Sequence, residues 1–98
     1  MILHVAATIK FSERLDKAIR LNVLGTLNLL QFGKQCQRLE CFCHVSTAYA
    51  NCNQRGVVKE KIFHSYLPNG MSLEEFCAHV LQLGPPDIKK LSDWIIPR

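Results

Sequence analysis

Two adjacent hydroxyl side chains, Ser46 and Thr47, follow a short apolar run at residues 39–45. The run is typical of a buried strand, and ligands of open α/β sheets bind just beyond the carboxyl ends of their strands. A hydroxyl at such a point can donate a hydrogen bond to a substrate oxygen. The alternative is that both hydroxyls only satisfy backbone groups where the strand ends.

A second strand end is predicted near the amino terminus. Residues 2–6 form an apolar run that we interpret as a strand buried on both faces, and the small pair Ala6 and Ala7 ends it. Small side chains there let a flat ligand lie against the backbone. A strand, a long helix and a second strand at 39–45 make one βαβ unit with parallel strands. Both strand ends are therefore expected at one edge of the sheet.

The helix between the strands is expected to begin with Ser12 as N-cap and to end near Gln35. Its apolar face carries one amide, Asn22, which needs hydrogen-bond partners or costs roughly 1–3 kcal/mol. Gly25 lowers helix propensity by about 1 kcal/mol relative to alanine, so a packing reason for it is expected.

The second half of the chain is predicted to hold a loop and two short helices. Residues 50–70 are loop-like, and Ser72 with Glu75 forms a capping box before an apolar-periodic run that ends at Gly84. Asp87 is expected to cap the last helix. The isolated histidines, His64 and His79, are interpreted as surface or structural residues.

Composition excludes several classes of protein. The net charge of the 98 residues is only +4, and no basic run with interleaved aromatics is present, so nucleic-acid binding has no support. Five cysteines without a signal-peptide pattern indicate reduced thiols and an intracellular protein. Zinc is not expected, because the spacing of Cys41, Cys43, His44 and Cys52 fits no standard site. No apolar run approaches the ~20 residues that span a bilayer.

Three motifs resemble one known family. The stretch HVSTAYANCN at 44–53, together with HVAAT at 4–8 and NVLGT at 22–26, is similar to the fatty acyl-CoA reductases, the male sterility branch of the extended short-chain dehydrogenases. The motifs occur in the family's order and at similar separations. The resemblance is close over 1–62 and loose over 63–98. It implies an α/β fold: residues 1–98 as a partial Rossmann-like NAD(P)-binding domain, with one βαβ unit followed by a loop and short helices.

The resemblance also implies a chemistry. The family reduces fatty acyl-CoA to fatty alcohol, through the aldehyde, by hydride transfer from NADPH. Thr47 matches the catalytic hydroxyl best and Ser46 is the second choice. The strand segment containing His4, Ala6 and Ala7 lies beside the cofactor in the family, and Asn22 braces the loops around the active site. Family members are often associated with the peroxisomal or endoplasmic reticulum membrane on its cytosolic face.

Two parts of the family's machinery do not occur in this sequence. There is no glycine-rich phosphate loop, and Tyr49 and Tyr66 are followed four residues later by Asn53 and Gly70 rather than by the lysine of a Tyr-x-x-x-Lys pair. We therefore interpret the chain as an internal fragment that is inactive alone. The alternatives are a non-enzymatic truncated isoform that binds a partner through an open sheet edge, and another extended dehydrogenase acting on nucleotide sugars or steroids.

Overall fold

The chain forms a small parallel sheet followed by helices. The computed structural model describes residues 1–52, 54–63 and 67–95, so the predictions for His64 and Tyr66 lie outside the described residues. The elements, in chain order, are β1 (Ile2–His4), α1 (Leu15–Ala18), a π-helical segment (Ile19–Leu24), α2 (Gly25–Gln35), β2 (Phe42–His44), a 3-10 turn (Pro68–Gly70), α3 (Leu73–Gln82) and α4 (Pro85–Ile95).

β1 and β2 lie side by side and parallel, with α1, the π-helical segment and α2 forming the connection between them. This is the predicted βαβ unit, and the predicted class, a partial Rossmann-like α/β fold, is confirmed. The pairing register joins Ile2 to Phe42, Leu3 to Cys43, and His4 to His44.

The prediction that both strands are fully buried is wrong. The strands are also shorter than the predicted 2–6 and 39–45, and Leu3 and Val5 each keep 59% of their surface exposed. The cause is that helix α2 covers one face of the sheet, the face that bears Ile2 and Phe42. Within the described part of the chain, no element covers the other face. Successive side chains of a strand point to opposite faces, so Leu3 lies on this uncovered face.

The first helix begins later than predicted, and Ser12 is not its N-cap. Glu13 N donates a hydrogen bond to Lys10 O over 3.0 Å, which closes a turn around Ser12. Helix α1 therefore begins after Arg14, whose side chain makes no capping bond and pairs with Asp16 at 3.0 Å instead. The predicted end at Gln35 is confirmed.

The close approach of helix to sheet occurs at Gly33 rather than at Gly25. A Cβ added to Gly25 would meet only the carbonyl oxygen of Arg20 at 3.6 Å, an ordinary contact, so the packing role predicted for Gly25 is wrong. A Cβ on Gly33 would lie 3.0 Å from the Leu39 side chain and 3.5 Å from Phe42. The absence of a side chain at Gly33 is what lets α2 lie against the sheet.

The capping box before α3 is confirmed. Glu75 N donates to Ser72 Oγ over 3.1 Å, and Ser72 N donates to Glu75 Oε2 over 2.8 Å. Helix α4 begins at Pro85 rather than after Asp87, because Gly84 O accepts the first two helical hydrogen bonds and a proline at the first helical position is already in the helical conformation. His79 is exposed, as predicted.

The core lies between the connecting helix and α3. Ile19, Phe76, Cys77 and Val80 form one buried cluster, and Val80 is fully buried. Desolvation, with a smaller contribution from the Glu74 carboxylate, raises the pKa of the Cys77 thiol above its ordinary value. The thiol therefore stays protonated and acts as a small apolar core residue rather than as a nucleophile.

Candidate functional site

A cleft of about 760 Å³ opens beyond the carboxyl ends of β1 and β2. Its volume is within the range of small-molecule sites, ≈ 300–1,000 Å³. Three parts of the chain line it: the segment after β1, the inner side of the connecting helix and the segment after β2. Parallel strands place their carboxyl ends at one edge, so residues far apart in sequence meet here.

Five of the six residues singled out from the sequence line this cleft. Ala6 and Ala7 come from the segment after β1, Asn22 comes from the helix, and Ser46 and Thr47 come from the segment after β2. The expectation that the two strand ends meet at one edge of the sheet is therefore confirmed. The chemical roles of these residues stay predictions.

His4, the sixth predicted residue, does not line the cleft. It keeps only 7% of its surface exposed, and its Nδ1 lies 2.8 Å from Nδ1 of His44 on the neighbouring strand. The two rings are stacked with their centroids 5.0 Å apart. In this hydrogen bond one Nδ1 donates and the other accepts.

His44 lines the cleft and was not predicted as a site residue. The sequence contained a usable signal, since His4 and His44 occupy equivalent positions near the ends of the two predicted parallel strands. His44 therefore links the lining of the cleft to His4 on the neighbouring strand.

The Thr47 side chain is held by the turn that follows it. Tyr49 N donates to Thr47 Oγ1 over 3.3 Å, and Ala50 N donates to Thr47 O over 3.1 Å. The Thr47 hydroxyl oxygen accepts the hydrogen bond from the Tyr49 amide, so the hydroxyl hydrogen is free to donate to another group. Among the described residues, the Ser46 hydroxyl has no such hydrogen bond.

Asn22 ties the segment after β1 to the helix. Thr8 N donates to Asn22 Oδ1 over 2.8 Å, and Asn22 Nδ2 donates to Thr8 O over 3.2 Å. The amide thus satisfies both backbone groups of Thr8, as the predicted bracing role requires. Asn22 lies in the π-helical segment, where its own carbonyl accepts a bond from Thr26 Oγ1 at 2.7 Å. π-Helical turns often occur at functional sites.

Replacing Asn22 by alanine is expected to lower the free energy of unfolding by about 1–3 kcal/mol, because both partly buried backbone groups of Thr8 lose their partner. Urea unfolding followed by circular dichroism measures the loss. Asn28→Ala is the matched control, since Asn28 is exposed on the same helical connection and is expected to change stability by less than about 0.5 kcal/mol. Equal losses in the two variants would contradict the bracing role.

The cleft is mainly apolar. Among the described residues that line it, Lys10 is the single lysine or arginine and Glu13 the single carboxylate. Ala6 and Ala7, whose side chains are small, are exposed in this lining.

The described residues contain neither a metal-binding cluster nor a helix that could cross a membrane. No group of three or more His, Cys, Asp or Glu side chains there could hold a metal ion, and all five cysteines are free thiols. Within the same residues no helix has the length and apolar character needed to cross a membrane.

Comparison with known proteins gives a consistent result. Residues 1–90 match the family model described as Male sterility protein, which represents an NAD-binding domain. Over 57 residues the chain is 51% identical to fatty acyl-CoA reductase 1 of Gallus gallus and 47% identical to fatty acyl-CoA reductase 1 of Xenopus laevis and of Homo sapiens. Each match covers 58% of this chain and 11% of the relative. No solved structure matches the chain.

Proposed function

Because the chain belongs to the male sterility protein family of NAD-binding domains, we propose that it forms the strand-end part of a reductase site for fatty acyl-CoA. The observation that carries the proposal is the convergence of Ala6, Asn22 and Thr47 on one cleft at the carboxyl ends of parallel strands. The names of the relatives supply the substrate class. NADPH as the cofactor and fatty alcohol as the final product, formed through the aldehyde, are proposed from the family resemblance.

Each residue has a task in this reaction. Bound reduced nicotinamide would supply the hydride. Ala6 and Ala7 leave room for a flat ring against the backbone, and Asn22 fixes the segment that carries them. Thr47 donates its hydroxyl hydrogen to the thioester carbonyl oxygen, and this bond strengthens as that oxygen gains negative charge.

The His4–His44 pair joins the two strands whose carboxyl ends border the cleft. Its hydrogen bond joins His4, the residue before the first cleft-lining segment, to His44, the first residue of the second one. The role of His4 in this proposal is therefore to position the cofactor segment, and contact with the cofactor falls to its neighbours.

The proposal is tested on the 98-residue chain by following its backbone amide NMR signals during addition of NADPH. We expect shift changes in residues 5–8 and 44–49, because these segments line the cleft, and unchanged signals in α3 and α4. Weak binding suffices for this measurement, since only the nicotinamide end is held. Changes confined to α3 and α4, or no changes at millimolar NADPH, would contradict the proposal.

A further inference from the structure

Two aromatic rings meet in the lining of the cleft. Phe11 comes from the segment after β1 and Tyr49 from the segment after β2, and both line the cleft. Their ring centroids are 5.9 Å apart and the ring planes cross at 87°, an edge-to-face arrangement. This geometry is favourable for an aromatic pair. The two rings therefore bridge the two segments that border the cleft.

The pair is exposed to a degree that is unusual for aromatic side chains. Phe11 keeps 82% of its surface exposed and Tyr49 keeps 65%. Ile9, which also lines the cleft, keeps 89% exposed. A contiguous apolar surface at a cleft is typical of a place where an apolar ligand binds.

The position of the pair relative to Thr47 indicates which part of a ligand would cover it. Tyr49 follows Thr47 by two residues, and its amide is bonded to the Thr47 hydroxyl. If that hydroxyl binds the thioester carbonyl oxygen, Tyr49 lies close to the carbonyl carbon and to the two substituents of that carbon. One substituent of that carbon is a hydrocarbon chain, and the other leads through sulfur to a phosphate-bearing nucleotide.

We propose that Phe11 and Tyr49 bind the hydrocarbon chain of the acyl thioester and set the preference for long chains over short ones. The inference rests on the proposed function and adds to it the part of the substrate that this surface recognises. The lining favours the hydrocarbon over the phosphate-bearing end, because two aromatic rings and Ile9 form this surface and Lys10 is the single described lysine or arginine in the cleft. Phosphate recognition uses several cationic or backbone N–H donors.

The test compares two thioesters that differ only in chain length. Binding of dodecanoyl-CoA and of acetyl-CoA to the full 98-residue chain is measured by equilibrium dialysis for the unchanged protein, Phe11→Ala and Tyr49→Ala. We expect each truncation to weaken dodecanoyl-CoA binding by about tenfold, since a ring-sized apolar contact is lost. Acetyl-CoA binding should change by less than about twofold, because its chain is too short to cover the rings.

Two further variants control for general effects. Tyr49→Phe keeps the ring and should bind dodecanoyl-CoA like the unchanged protein. Ile62 keeps 91% of its surface exposed and does not line the cleft. Ile62→Ala should therefore also leave binding unchanged. Circular dichroism verifies that all variants remain folded.

The possible failures differ from one another. If the unchanged chain binds neither thioester, both the proposed function and this inference are wrong. If dodecanoyl-CoA binds the unchanged chain and its advantage over acetyl-CoA survives in Phe11→Ala and Tyr49→Ala, the proposed function stands and the chain-length inference is overturned. An equal weakening of both thioesters would also overturn it, because the rings would then serve the common part of the ligand.

Discussion

Removing the Thr47 hydroxyl is expected to lower kcat for acyl-CoA reduction by about 10²–10³-fold, the effect of losing one donor to a developing oxyanion. The variant is Thr47→Val, which keeps the shape of the side chain. Because the chain contains neither the glycine-rich loop nor Tyr-x-x-x-Lys, the measurement uses an exchange protein. In it, residues 1–62 of this chain replace the corresponding segment of Gallus gallus fatty acyl-CoA reductase 1, to which the chain is 51% identical over 57 residues.

Ser46→Ala is the matched control for this prediction. Ser46 adjoins Thr47 and lines the same cleft, but its hydroxyl is not held by the Tyr49 amide, whereas that of Thr47 is. We expect less than about a tenfold effect on kcat, since a donor that is not aimed at the oxyanion contributes little. A larger loss in Ser46→Ala than in Thr47→Val would transfer the proposed role to Ser46.

Replacing Phe76 by alanine is expected to lower the free energy of unfolding by roughly 3–5 kcal/mol, the usual cost of emptying an aromatic core site. Phe76 keeps only 8% of its surface exposed and packs with Ile19 and Val80. Such a loss is a large part of the ≈ 5–15 kcal/mol that stabilises a typical domain. Urea unfolding monitored by circular dichroism gives the difference.

Leu73→Ala is the control for Phe76→Ala. Leu73 begins the same helix but keeps 50% of its surface exposed, so its truncation should cost less than about 1 kcal/mol. If Phe76→Ala cost no more than Leu73→Ala, the cluster would not be what joins α3 to the connecting helix.

The order of elements was predictable because it depends on local patterns. The apolar runs, the capping box at Ser72 and Glu75, and the end of α2 at Gln35 all follow from short-range sequence signals, and the structure has each of them. The meeting of Ala6 with Thr47 followed from topology, since parallel strands end at one edge.

The features that sequence reasoning missed depend on tertiary contacts. Serine is a favoured N-cap residue, but the turn closed by Lys10 and Glu13 includes Ser12, so the helix begins only at Leu15. Gly25 and Gly33 look alike in sequence, and only the position of the sheet shows which one permits close packing. The exposure of Leu3 likewise reflects a sheet covered on one face within the described residues.

The exchange protein without further substitution tests most directly the claim that the cleft formed by this chain serves as the strand-end part of a working acyl-CoA reductase site. Consumption of NADPH in the presence of dodecanoyl-CoA, with dodecanol recovered as product, is the result we expect, and Thr47→Val should nearly abolish it. A folded exchange protein that consumes no NADPH, beside an unexchanged reductase that does, would contradict the claim.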